Sequence, residues 1–128
     1  MAIPSGSGTE VLYRGTMNQL SSSQTAFRWD RTDPTVGTST YTVPANHIIT
    51  VLSIVYCESG GADELLALNV INGASEILRV LYEQSLPSKS TFVFNDKIVL
   101  VGGDKLITYT ETAGHVDVVY SFIDQDWS

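Results

Sequence analysis

His115-Val-Asp-Val-Val-Tyr-Ser-Phe-Ile123 is the stretch whose reading decides the fold. Side chains alternate at period two along an extended chain. Val116, Val118, Tyr120 and Phe122 therefore share one face, and His115, Asp117, Val119 and Ser121 share the other. This is the pattern of a half-buried antiparallel strand, and it fits no helical spacing. Upstream, residues 91–101 read as a strand, Gly102-Gly103-Asp104 as a turn, residues 105–110 as a second strand and Ala113-Gly114 as a second turn. Residues 91–123 are thus expected to form a β-meander.

Further back, the most apolar segment is His47-Ile-Ile-Thr-Val-Leu-Ser-Ile-Val-Tyr-Cys57. Its β-branched and aliphatic residues occupy both faces, so simple alternation fails and a strand covered on both sides is expected. One side belongs to a core. The other calls for a loop or a second subunit, and Ile49, Val51 and Val55 are candidate contacts. Asn46, just before this run, sits where a turn wants a residue tolerant of unusual φ.

Residues 64–71 and 74–82 flank Asn72-Gly73, a strong hairpin signal because both turn residues are expected to take positive φ. A helix is the rival reading for residues 74–83, since Leu, Ala, Glu and Arg favour it. Towards the N-terminus, residues 10–16, 25–30 and 40–43 read as short strands, with Phe27 and Trp29 facing one way and Val11, Tyr13 and Gly15 sharing a side. Eight or nine short strands with turn signals between them point to an all-β chain, an antiparallel β-sandwich or jelly roll. Residues 1–8, rich in Ser, Gly and Pro, read as a flexible N-terminal arm on a single domain spanning 9–128. The arm is either disordered or ordered against a neighbouring subunit, with Ile3 as its candidate contact.

The chain has 128 residues, enough for one domain with a real core and no need of disulfides or metal. Its single cysteine, Cys57, cannot form an intrachain bridge and reads as a small hydrophobe in an apolar run. The lack of a disulfide framework fits assembly in a reducing cytosol. Seven basic residues against 14 acidic ones give a net charge of −7, and the basic residues never cluster, which argues against direct nucleic-acid binding. No apolar run is long enough to span a bilayer, and the start has no secretory pattern, so no membrane association is expected.

No catalytic constellation emerges, and no enzyme activity, cofactor or metal is expected. The two histidines, His47 and His115, both open strands. His115 and Asp117 share a strand face and read as solvated polar groups. No nucleophile elbow or metal-ligand spacing appears. The carboxylate pairs Asp30 with Asp33 and Asp124 with Asp126 read as solvated charges or a weak cation site of oxygen ligands, not as a glycosidase pair. Trp29 is a candidate for stacking on sugar rings. Trp127, the one large side chain of a polar tail, reads as an anchor on its own domain or a neighbour.

The segments Ile98-Val-Leu-Val-Gly-Gly-Asp-Lys-Leu106, Val116-Asp-Val-Val-Tyr-Ser-Phe-Ile-Asp124 and Tyr41-Thr-Val-Pro-Ala-Asn-His-Ile-Ile-Thr-Val-Leu-Ser-Ile54 resemble patterns of small virion proteins from tailed bacteriophages. The opening residues 1–12 and the closing Asp124-Gln-Asp-Trp127 are similar to small structural proteins of marine cyanobacterial phages. The resemblance implies a non-enzymatic virion component, a capsid decoration protein or a tail or fibre accessory, assembled in the host cytoplasm. It also implies a homotrimer with phage capsid or tail proteins as partners. A receptor- or carbohydrate-binding module of a tail fibre is the alternative.

Overall fold

The computed structural model describes residues 9–29, 41–112 and 115–126. The expected arm at 1–8, with Ile3, lies outside them. So do the carboxylate pair Asp30 and Asp33, the turn at Ala113-Gly114 and the anchor Trp127.

The described chain holds nine strands and no helix: β1 (Thr9–Leu20), β2 (Thr25–Ala26), β3 (His47–Glu58), β4 (Glu64–Ile71), β5 (Ile77–Leu86), β6 (Thr91–Phe94), β7 (Ile98–Val101), β8 (Lys105–Thr110) and β9 (Val116–Asp126). They form two antiparallel sheets. The first runs β1-β9-β3-β6, with β7 also pairing β3. The second runs β2-β8-β4-β5. The architecture is a β-sandwich of jelly-roll type.

The expected meander is corrected by the pairing. β7 pairs with β3, β8 with β4 and β2, and β9 with β3 and β1. The chain therefore crosses to the opposite sheet from β7 to β8 and back from β8 to β9, and these neighbours do not pair with one another. The alternation within β9 holds: Val116, Val118, Tyr120 and Phe122 are buried, while His115, Asp117 and Val119 are exposed. Residues 91–101 form two strands, β6 and β7, lying end to end along β3.

The double-sided look of residues 47–57 has a local cause. The register of β3 against β9 shifts between Val51 and Ser53, so Leu52 is the extra residue of a bulge. Ile49 and Val51 before it, and Ile54 and Tyr56 after it, all face the core. The strand is two half-strands of opposite phase, and its outer side carries Ile48, Thr50, Ser53, Val55 and Cys57.

Residues 77–86 are strand, not helix. The turn before them differs from the expected one, because positive φ falls on Ser75 and not on Asn72 or Gly73. Asn72 instead accepts the N–H groups of Ala74 and Glu76 on its side-chain oxygen, both at 3.0 Å, wrapping a longer loop around itself. Asn46 does take positive φ, at 64°. Of residues 25–30 only Thr25–Ala26 form a strand, and residues 41–43 form none.

The core is aromatic at one end. Phe27, Trp29, Tyr120 and Phe122 pack with ring centroids 4.7 to 6.1 Å apart. Each sheet supplies a hydroxyl to the centre. Tyr56 donates to the Thr108 hydroxyl at 2.9 Å, and Thr108 donates on to the Ala67 carbonyl at 2.7 Å. Buried polar groups need such partners, since an unmet one costs about 1–3 kcal/mol.

Candidate functional site

The outer face of the β1-β9-β3-β6 sheet is one candidate surface. Register places Val93, Val55, Val119 and Thr16 in one row across four strands. A second row runs Val99, Thr50, Ile123, Leu12. Between them lies a polar row of Ser53, Ser121 and Arg14, with the two serine hydroxyls 3.1 Å apart. Val119, Val93, Val99 and Leu12 are between 44% and 66% exposed. Exposed apolar side chains aligned in this way make the face a candidate contact surface.

The sequence-level contacts on this segment need correction. Ile49 and Val51 are fully buried in the core and cannot touch a partner, because the bulge at Leu52 sets their phase inward. Val55 lies on the outer face, between Val93 and Val119. Cys57 shares that face and is exposed, so it is not the buried hydrophobe its neighbours suggested. Trp29 is only 3% exposed, packed edge-on against Tyr120 and Phe122, and has no face to offer a sugar.

The histidines lie at opposite ends of β3. His47 opens the strand, whereas His115 is held beside the loop after it, where its carbonyl accepts the Ser59 N–H at 2.9 Å. Twelve residues at about 3.3 Å each put the two roughly 35 Å apart. They share no pocket. His47 meets the carboxylates instead: its Nδ1 lies 2.8 Å from Asp124 Oδ1 and its Nε2 3.7 Å from Asp126 Oδ2. Register brings this about, since His47 faces Asp126 across β3 and β9 and Asp124 is two pairs inward, on the same face. His115 and Asp117 are both exposed, as expected of polar groups on the outer strand face, and Asp117 accepts the Gln19 N–H at 3.0 Å. Among the described residues, no group of three or more His, Cys, Asp or Glu side chains is arranged to hold a metal ion.

Glu58 organises the loop between β3 and β4. Its carboxylate accepts the N–H groups of Gly60, Gly61 and Ala62, at 3.0, 2.6 and 3.1 Å. Desolvation opposes ionisation here, but these amides together with that of Lys89 outweigh it and hold the carboxyl below its usual value.

A second surface lies on the outer side of the other sheet. There a hollow of about 180 Å³ opens over Ala67, lined by Leu65, Tyr82, Glu83, Tyr109 and Glu111. The sequence reading named none of these residues. The only signal for them is the small residue at 67 between larger ones on the outward positions of β4.

The fold has counterparts among solved structures. A subunit of Bacillus endospore appendages, described as disulfide-linked pili, matches with a TM-score of 0.50 at 9% identity, over 99% of this chain and 96% of that one. A protein of the infectious bursal disease virus T13 particle gives 0.46 at 11% identity, over 91% of this chain and 31% of that one. The coat protein of tobacco streak virus gives 0.44 at 8% identity, over 91% and 85%. No protein-family model and no curated protein matches the sequence. At 9% identity the likeness to the appendage subunit speaks for the fold alone.

Proposed function

We propose that this chain is a non-enzymatic structural subunit of a bacteriophage particle, a capsid decoration protein or a tail accessory, which self-associates and docks on the particle. The observation that supports this reading is the pair of apolar rows on the outer face of the β1-β9-β3-β6 sheet. Burying them against another copy removes apolar surface from water at about 25 cal/mol per Å², a gain that a lone subunit forgoes. The pilus subunit that shares the fold is a precedent for assembly by such a domain. The resemblance to tailed-phage proteins supplies the particle and the trimeric stoichiometry.

Light scattering on the eluting full chain tests the reading. An oligomer, most simply a trimer, is expected at micromolar concentrations. Val119→Lys with Leu12→Lys should yield a folded monomer. A wild-type monomer at every concentration up to the millimolar range would overturn the proposal.

A further inference from the structure

We infer that the hollow on the outer side of the β2-β8-β4-β5 sheet is a binding site for an arginine side chain of a partner protein. Its floor is Ala67, the small residue in a cross-strand row. Tyr109 of β8 stands opposite Ala67 on one side. On the other, β4 pairs Leu66 with Gln84 and Leu68 with Leu81, so a bulge in β5 sets both Tyr82 and Glu83 against Ala67. Glu83 holds this bulge with a φ of 54°. Strands lie about 4.8 Å apart, so the backbones that carry the two tyrosines stand about 10 Å apart on either side of the floor.

The chemistry of the rim chooses the ligand. Glu83 and Glu111 border the hollow, and the backbone N–H of Glu111 bonds to the Leu65 carbonyl at 3.0 Å, which fixes its place in the next row. Neither carboxylate has an ion-pair partner among the described residues. Tyr82 is 64% exposed and already attracts a cation within its own strand, the Arg79 guanidinium 5.1 Å from its ring centroid. Tyrosine faces and carboxylates together are what a guanidinium seeks: the rings stack on its plane and the acids accept its N–H groups. The volume of 180 Å³ falls below the roughly 300–1,000 Å³ of drug-sized sites, and so suits one side-chain head group. The net charge of −7 draws a basic partner in.

Titration of the full chain with hexa-arginine, hexalysine and methyl glucoside, followed by backbone amide NMR, tests the inference. Hexa-arginine should shift the amides of Ala67, Tyr82, Tyr109 and Glu111 and bind more tightly than hexalysine. Glu83→Gln with Glu111→Gln, and separately Tyr82→Ala, should each weaken it by roughly tenfold. Glu10→Gln with Asp96→Asn removes the same charge elsewhere and should leave affinity within about twofold, judged by the weakness of exposed pairs. The Val119→Lys, Leu12→Lys chain should bind hexa-arginine normally, which separates this site from the assembly face. Equal weakening by the distant pair, shifts scattered over the surface, or glucoside binding at these amides in place of hexa-arginine would overturn it.

Discussion

Gly15 on β1 lies directly opposite Tyr120 on β9, and the phenol ring passes over the glycine where a side chain would stand. The ring can then reach the other layer. Its hydroxyl accepts the Arg28 N–H at 3.0 Å and donates to the Arg28 carbonyl at 2.9 Å, clamping the segment that follows β2. A Cβ at position 15 would fall within the ring itself. Gly15→Val should therefore destabilise the fold by about 1–3 kcal/mol, the usual cost of forcing bulk into a packed site. Thr16→Val, at the exposed neighbouring position, should change stability by less than about 0.5 kcal/mol. Urea unfolding midpoints compare the two.

The hydroxyl relay between the sheets predicts an order of effects. Tyr56→Phe removes one donor and leaves Thr108 bonded to Ala67, for a loss of about 1 kcal/mol. Thr108→Val leaves the Tyr56 hydroxyl buried without its partner and should cost more, up to about 3 kcal/mol. Denaturation of the two variants side by side checks the ranking.

Burial raises the Tyr56 hydroxyl above its usual value of 10.0, although its bond to Thr108 works the other way. The folded state thus keeps this proton where the unfolded state gives it up. The unfolded state then binds fewer protons, and stability falls as pH rises above about 10. Tyr56→Phe should flatten that decline. Stability measured from pH 9 to 11 in wild type and variant reads it out.

Glu58 gives the opposite sign. Its folded-state value lies below the usual 4.5, so in that window the unfolded state binds the extra proton. The stability it contributes is present above about 4.5 and is lost as pH falls through the depressed value. Glu58→Gln should lose acid sensitivity in this range while becoming less stable at neutral pH, since an amide N–H₂ then faces the loop amides. Unfolding curves from pH 7 down to pH 3 test this.

Much of the fold was legible because burial writes period two directly into a strand. The face assignment of β9, the strands of the hairpin and the unusual backbone of Asn46 followed from residue type alone. Pairing partners did not. Nothing in the alternation of β7, β8 and β9 says that the chain changes sheet from β7 to β8 and again from β8 to β9, because crossing the sandwich leaves the inward face inward. The bulge at Leu52 hid the true phase of β3, which is why Ile49 and Val51 were expected to meet a partner. A single inserted residue reverses every side chain after it, and Leu, equally at home inside or half-exposed, gives no local warning. The contact of His47 with Asp124 and the convergence of Tyr82 with Tyr109 are products of register, and sequence proximity pointed elsewhere.

The edge strand β1 runs antiparallel to β9 with Thr9 beside Asp126, so both ends of the described chain leave from one rim. A pulling force applied across those ends would open the β1–β9 ladder like a zipper, loading one hydrogen bond at a time. Tension on parallel-loaded ladders is shared by all rungs at once; here it is not. Load that reaches this domain without peeling it must therefore enter through the sheet faces, and a tether grafted to either end would peel the outermost ribbon before it disturbed the aromatic interior.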